Sequence, residues 1–156
     1  MRRWYRVFAR SEAMPGLAEL ENSLPGLGVS LHVDASDEGW FRIEGGSGDQ
    51  PGEPLFEVER FLVEEEGIRG ELNSWAAHIE TCEETPQQAP LMERIIQSRQ
   101  LFTLSPSGDD LKGDLADRCC LMLSRRLAGL ADGVYHVDGE GFCSADGTHL
   151  FADSPT

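Results

Sequence analysis

Lysine is nearly missing from this 156-residue chain: Lys112 is the only one among 13 basic residues, and the other 12 are arginine. That usage points to coding bias rather than to a need for arginine's forked hydrogen bonding. Long apolar runs are missing too, the longest being only a few residues against the roughly 20 that a membrane-spanning helix requires. The basic opening Met1-Arg2-Arg3-Trp4-Tyr5-Arg6 is followed by neither an apolar core nor a small-residue cleavage site, so it does not read as a secretory leader and a cytoplasmic location is expected. Cysteine is sparse. Cys82, Cys119, Cys120 and Cys143 are expected to be free thiols, and the vicinal pair cannot easily close on itself inside a helix.

Motifs with diagnostic spacing are equally scarce. The chain carries no phosphate-binding glycine loop ending in Lys-Ser or Lys-Thr, no His-Glu-x-x-His helix, no Gly-x-Ser-x-Gly elbow and no Cys-x-x-Cys pair. Nothing in the spacing calls for a cofactor. The glycine-rich Asp138-Gly139-Glu140-Gly141 fits neither nucleotide fingerprint and reads as a turn between strands.

Negative charge is abundant, with a formal net charge of −15. It is concentrated between Glu44 and Glu93, where 13 acids face only Arg60 and Arg69, a net of −11. Such a surface repels phosphate backbones, which excludes nucleic acid as the expected partner and favours a basic protein. With 40% hydrophobic residues spread from end to end, the chain can bury a core and is expected to form one α+β domain over residues 1–156.

The order strand, helix, strand, strand recurs, giving two similar units at about residues 4–62 and 100–152. In the first, Trp4–Ala9 alternates as a strand, and Leu17, Leu20 and Leu24 follow Pro15 at helical spacing. Val29–Val33 and Trp40–Ile43 then form a hairpin around Ser36-Asp37-Glu38-Gly39. Residues 44–54 read as a glycine-rich loop. Residues 55–62 satisfy both periods: Phe56 and Val58 alternate with Glu57 and Glu59, while Leu55, Val58 and Leu62 fit a helix. A strand is preferred because it leaves Glu64-Glu65-Glu66 at the start of the following helix. The stripe Ile68, Leu72, Trp75, Ile79 predicts a helix over 67–82, and Pro90 opens a shorter one to Ser98.

In the second unit Leu101–Leu104 is a strand, and a long helix follows with Leu111, Leu115, Cys119, Met122, Leu123, Leu127 and Leu130 on one side and Asp109, Asp110 and Asp114 near its start. Val134–Val137 and Thr148–Phe151 are strands, with Gly141-Phe142-Cys143 between them and a tight turn at Asp146-Gly147. The expected architecture is therefore two β-α-β-β units in a mixed or antiparallel sheet, ferredoxin-like in element order, with the helices of residues 67–82 and 110–131 packed on one face. The last residues, from Ala152 onward, are expected to fray.

Two classes of function fit this pattern. A non-catalytic soluble binding protein would engage a basic protein partner through Glu57, Glu59, Glu64, Glu65 and Glu66, with Trp40 or Trp75 as aromatic anchors if exposed. Alternatively, a small enzyme or ligand-binding domain would hold a pocket between the sheet and the helix bearing Trp75, with Glu71 and His78, seven residues apart on one helix face, as acid and base. That version is metal-assisted if His136, Cys143 and His149 converge across the hairpin strands, although separations of seven and six residues match no compact zinc pattern. A calcium site from Asp138, Glu140 and Asp146 has only part of the usual ligand pattern. Cys119, on the apolar stripe, is expected to pack as a small hydrophobe.

Overall fold

The computed structural model describes residues 3–26, 28–36, 39–47, 54–107 and 113–153. The Asp37-Glu38 turn, the centre of the 44–54 loop, and the helix-start residues Asp109, Asp110 and Leu111 lie outside them. In chain order the elements are β1 (Tyr5–Ala9), α1 (Leu17–Glu21), β2 (Val29–Ser36), β3 (Gly39–Ser47), β4 (Phe56–Leu62), α2 (Ile68–Glu80), α3 (Gln88–Ile96), β5 (Gln100–Pro106), α4 (Gly113–Leu130), β6 (Gly133–Val137), β7 (Gly141–Ser144) and β8 (His149–Phe151). Residues 56–62 are a strand: Phe56 and Val58 are buried between half-buried Glu57 and Glu59, the two-residue period winning over the helical one.

The strands form one antiparallel sheet in the order β2-β3-β4-β5-β1-β6-β7-β8. Each repeated unit is thus β-α-β-β-β: with β4 in the first and β7 in the second both complete strands of the sheet, the strands outnumber the expected β-α-β-β, ferredoxin-like order. The units also interlock. The β2-β3-β4 meander of the first unit pairs through β4 with β5 of the second, while the β6-β7-β8 meander pairs through β6 with β1 of the first. The two opening strands meet at the centre, Val7 opposite Phe102, in the antiparallel sense that an approximate twofold axis through the sheet requires.

Alternation along the strands divides the interior in two. On one face Tyr5, Val7, Phe102, Leu104, Tyr135 and Val137 pack beneath α4, and Leu20 of α1 with Leu24 just beyond it extend this cluster over β2 and β3. On the other face Phe8, Leu101, Val134, Phe142 and Phe151 meet Leu72 and Ile79 of α2 and Leu91 and Ile95 of α3. The expectation that α2 and α4 share one face is therefore wrong. Helical periodicity shows which side of a helix is apolar but not which side of the sheet receives it. The evidence lay in the strands, since β1 and β6 carry large apolar groups at odd and even positions alike, the pattern of a strand covered on both faces.

Local choices fix these elements. Buried Cys119, Leu123 and Leu127 hold α4 to the sheet; Cys120 is also fully buried, and burial pushes the Cys119 thiol up to about 11. After the helix the chain turns at Asp132, in the left-handed region with φ 53°, into Gly133, where a Cβ would lie 2.7 Å from the Phe8 carbonyl oxygen. Tyr5 donates to Asp117 on α4 at 2.9 Å, and Arg125 of the same helix donates to the Tyr135 hydroxyl at 3.0 Å, so both tyrosines bury their rings with their polar tips satisfied. At the other end, buried Arg60 donates to Gln100 at 2.7 Å, and the Gln100 amide donates to the Ser11 and Ala13 carbonyls at 2.6 and 2.8 Å. The Trp40 indole donates to the Pro15 carbonyl at 2.7 Å, which makes this tryptophan a core residue rather than an exposed anchor.

Gly45, read from composition as part of a loop, lies inside β3 directly opposite Phe56, whose ring occupies the space a side chain would need: an added Cβ would sit 2.1 Å from the ring. Gly45→Ala must displace that ring from the core. The expected cost is about 1–3 kcal/mol, the range for overpacking, checked by urea unfolding; an unchanged midpoint would contradict the packing described.

Candidate functional site

The α2–α3 hairpin covers only the half of its face built from β5, β1, β6, β7 and β8. Over β2, β3 and β4 the same face carries no apolar cluster among the described residues. It presents His32 from β2, Arg42 and Glu44 from β3, and Glu57 and Glu59 from β4, because these residues alternate with Leu31, Ile43, Val58 and Arg60, which turn inward. Glu44 stands directly opposite Glu57, and Glu59 opposite Arg42. Arg42 donates to Glu57 at 2.6 Å and lies 3.2 Å from Glu44, which raises its own pKa. One cation is thus shared among three carboxylates on rigid strands, and like charges directly opposite one another destabilise a sheet. Glu64, Glu65 and Glu66 continue the acidic surface into the β4–α2 turn, all exposed; Glu65 accepts from the Leu62 amide at 2.5 Å, so it caps the strand end. The five partner-binding glutamates expected from sequence therefore lie along β4 and the turn that follows it.

Within the covered half, over β1, β6 and β7, α2 lays Trp75 against the sheet. Arg6 stacks over its indole at 4.9 Å, and the His136 ring is 4.7 Å away. His78 and His136 both reach the same oxygen of Asp153, at 3.0 and 2.9 Å. If both imidazoles are neutral, each donates through Nε2 to that carboxylate. His136 is 3% exposed, and its Nδ1, like the second Asp153 oxygen, is buried with no hydrogen-bond partner. Asp138 lies 3.8 Å from that Nδ1 but is committed to Arg6 at 2.8 Å and to the Trp4 amide at 3.1 Å. Cys82 points its thiol at the Asp153 carbonyl, 3.8 Å away. The cluster ties the segment after β8 to α2, and Asp153, expected to fray, is its hub.

The other residues expected to be functional do not gather here. Glu71, two turns before His78, accepts from the Trp75 indole at 3.2 Å and points its carboxylate at no imidazole. His136 and Cys143 are on opposite sides of the sheet, since His136 pairs with Phe142 across the β6–β7 ladder whereas Cys143 pairs with Tyr135. His149, exposed on β8, contacts the Glu140 carbonyl at 3.0 Å. The three candidate zinc ligands therefore do not meet, and no group of three or more His, Cys, Asp or Glu among the described residues is arranged to hold a metal ion. Asp138 and Glu140 flank the β6–β7 turn and pair with Arg6 and Arg3, while Asp146 closes the β7–β8 turn on Ser144 and Thr148. Sequence reading missed Asp153 as the partner of both histidines and Arg6 as the cation over Trp75, opposite His136 in the β1–β6 ladder; Arg6 alternating with buried Tyr5 and Val7 was the one available signal.

No helix among the described residues is long and apolar enough to cross a membrane. Comparison with protein-family models, with curated proteins and with solved structures finds no match.

Burial lowers the His136 pKa from its usual 6.5, outweighing the opposing pull of Asp153. A folded-state value below the unfolded one means that the stability tied to neutral His136 is fully present above about pH 6.5 and is lost as pH falls through the folded value. Urea midpoints should fall between pH 7.5 and 5.5 in the native protein and in His78→Asn, and fall less in His136→Gln, whose amide still donates toward Asp153. An equal fall in His136→Gln would remove His136 as the cause.

Proposed function

We propose that this chain is a non-catalytic binding protein that engages a basic protein partner through the open acidic half of its sheet. The observation that supports the reading is the one-sided cover: α2 and α3 bury half of the face, and the exposed half carries Glu44, Glu57 and Glu59 with Arg42 as their shared cation. Side chains on hydrogen-bonded strands are held in place before the partner arrives, which limits the entropy lost on binding. A field of one sign speeds encounter with the opposite charge and weakens as salt rises.

The alternative reading, a small enzyme or ligand-binding domain with a pocket between sheet and helix, draws its support from the convergence of His78 and His136 on Asp153. A His78→Ala variant that keeps all ligand binding would remove it.

Binding of a labelled arginine-rich peptide at low and physiological salt separates a located surface from bulk charge. The triple variant Glu44→Gln, Glu57→Gln, Glu59→Gln should lose roughly tenfold in affinity, about 1.4 kcal/mol, and lose part of the salt dependence. A control with the same charge change, Glu80→Gln, Glu83→Gln, Glu84→Gln, should lose much less. Equal losses would mean that net charge alone attracts the peptide and would defeat the reading.

A further inference from the structure

Arginines gather at one end of the molecule in a chain whose formal charge is −15. There a cleft of about 680 Å³ opens where β1 and β4 end and where α3 leads into β5. Arg10, Arg69 and Arg99 line it, and Asp132 is the only carboxylate lining it among the described residues. Asp132 is already spoken for: Arg10 grips it with two donors at 3.1 and 3.2 Å, and Arg94 adds a third at 3.4 Å, which together hold its carboxyl below the usual range.

The remaining two arginines are much less neutralised. Arg69 donates to the Ile96 carbonyl at 2.7 Å, a partner without charge, and lies within ion-pair distance of no carboxylate among the described residues. Arg99 touches Glu12 at 3.2 Å, but its side chain is 62% exposed, and a pair so accessible to water contributes little. Three arginines therefore line the cleft against Asp132, with Arg94, Glu12 and Glu93 bound to residues at its margin, an excess of positive charge in an acidic protein. Ile96, 46% exposed, and Val63 supply an apolar wall beside the guanidinium groups. The volume lies within the usual range for small-molecule sites, and free guanidinium donors match the two-oxygen edge of a phosphate or carboxylate.

We infer that this cleft binds a small molecule bearing a phosphate or carboxylate group, held by Arg69 and Arg99 with its carbon portion against Ile96 and Val63. The site is independent of the acidic sheet face and opposite to it in charge, so either can fail alone.

Pyrophosphate and citrate, titrated separately at ionic strength held constant with chloride, distinguish the two oxyanion classes. The readouts are thermal unfolding and the arginine Nε–H resonances of the nitrogen-labelled native protein. The expected result is a saturable shift of the Arg69 and Arg99 resonances, with the more tightly bound anion identifying the group. The double variant Arg69→Gln, Arg99→Gln should weaken binding by about tenfold or more, while Arg118→Gln, an exposed arginine on α4, leaves it unchanged. No saturable response to either anion, or an equal loss in Arg118→Gln, would overturn the inference; because the resonances are read in the native protein, the outcome does not depend on the variants folding.

Discussion

The antiparallel pairing of β1 with β5 is the contact on which the rest of the architecture depends. Each of these strands opens one unit and receives on its far side the three-stranded meander of the other, so neither unit completes its own sheet. Breaking the ladder between Tyr5–Ala9 and Gln100–Leu104 would separate the two meanders and split the cluster beneath α4, where Val7 and Phe102 are both fully buried. Backbone hydrogen bonds set the register, while buried area supplies most of the driving force, at about 25 cal/mol for each Å² of apolar surface removed from water. The two contributions agree because a shift of one residue would turn Phe8 toward α4 and Val7 toward α3, each against a surface shaped for the other.

Symmetry of the sheet is broken by what joins the units. The α2–α3 hairpin, inserted between β4 and β5, cannot cover both halves of its face, and it settles over the meander of the second unit, where Phe142 and Phe151 await it. On that half even polar groups are enclosed, as the imidazole of His136 and the carboxylate of Asp153 are. Over the first meander the equivalent positions carry glutamates, which water can solvate and which no helix could bury without large desolvation cost. The open acidic face is therefore the complement of the covered one: the same insertion that closes the second half leaves the first exposed.

Much of this was legible in the chain. Glu57 and Glu59 alternating with Phe56 and Val58 identify a strand with one wet face, and the stripes on α2 and α4 locate those helices. Other features depend on neighbours distant in sequence. Gly45 reads as loop because glycine disfavours strands, and only the Phe56 ring across the ladder explains its place in β3. The opposite placement of α2 and α4 could not be read from either helix, although the two-sided burial of Tyr5–Ala9 hinted at it. Asp153 lay in a segment expected to fray, and nothing local marks it as the partner of histidines 17 and 75 residues away. The arginine cleft leaves no local mark in the sequence, because Arg10, Arg69 and Arg99 are scattered along a chain whose charge count points the other way.

Carboxylate footprinting with a water-soluble carbodiimide and an amine, read residue by residue by mass spectrometry, tests the half-covered sheet most directly. Glu44, Glu57 and Glu59, half-buried beside Arg42, should be modified more slowly than the exposed turn glutamates Glu64 and Glu66 but much faster than Asp153, which has 6% of its side chain accessible. Protection of Glu57 and Glu59 equal to that of Asp153 would mean that this half of the sheet is covered, and the acidic face would cease to exist as a surface.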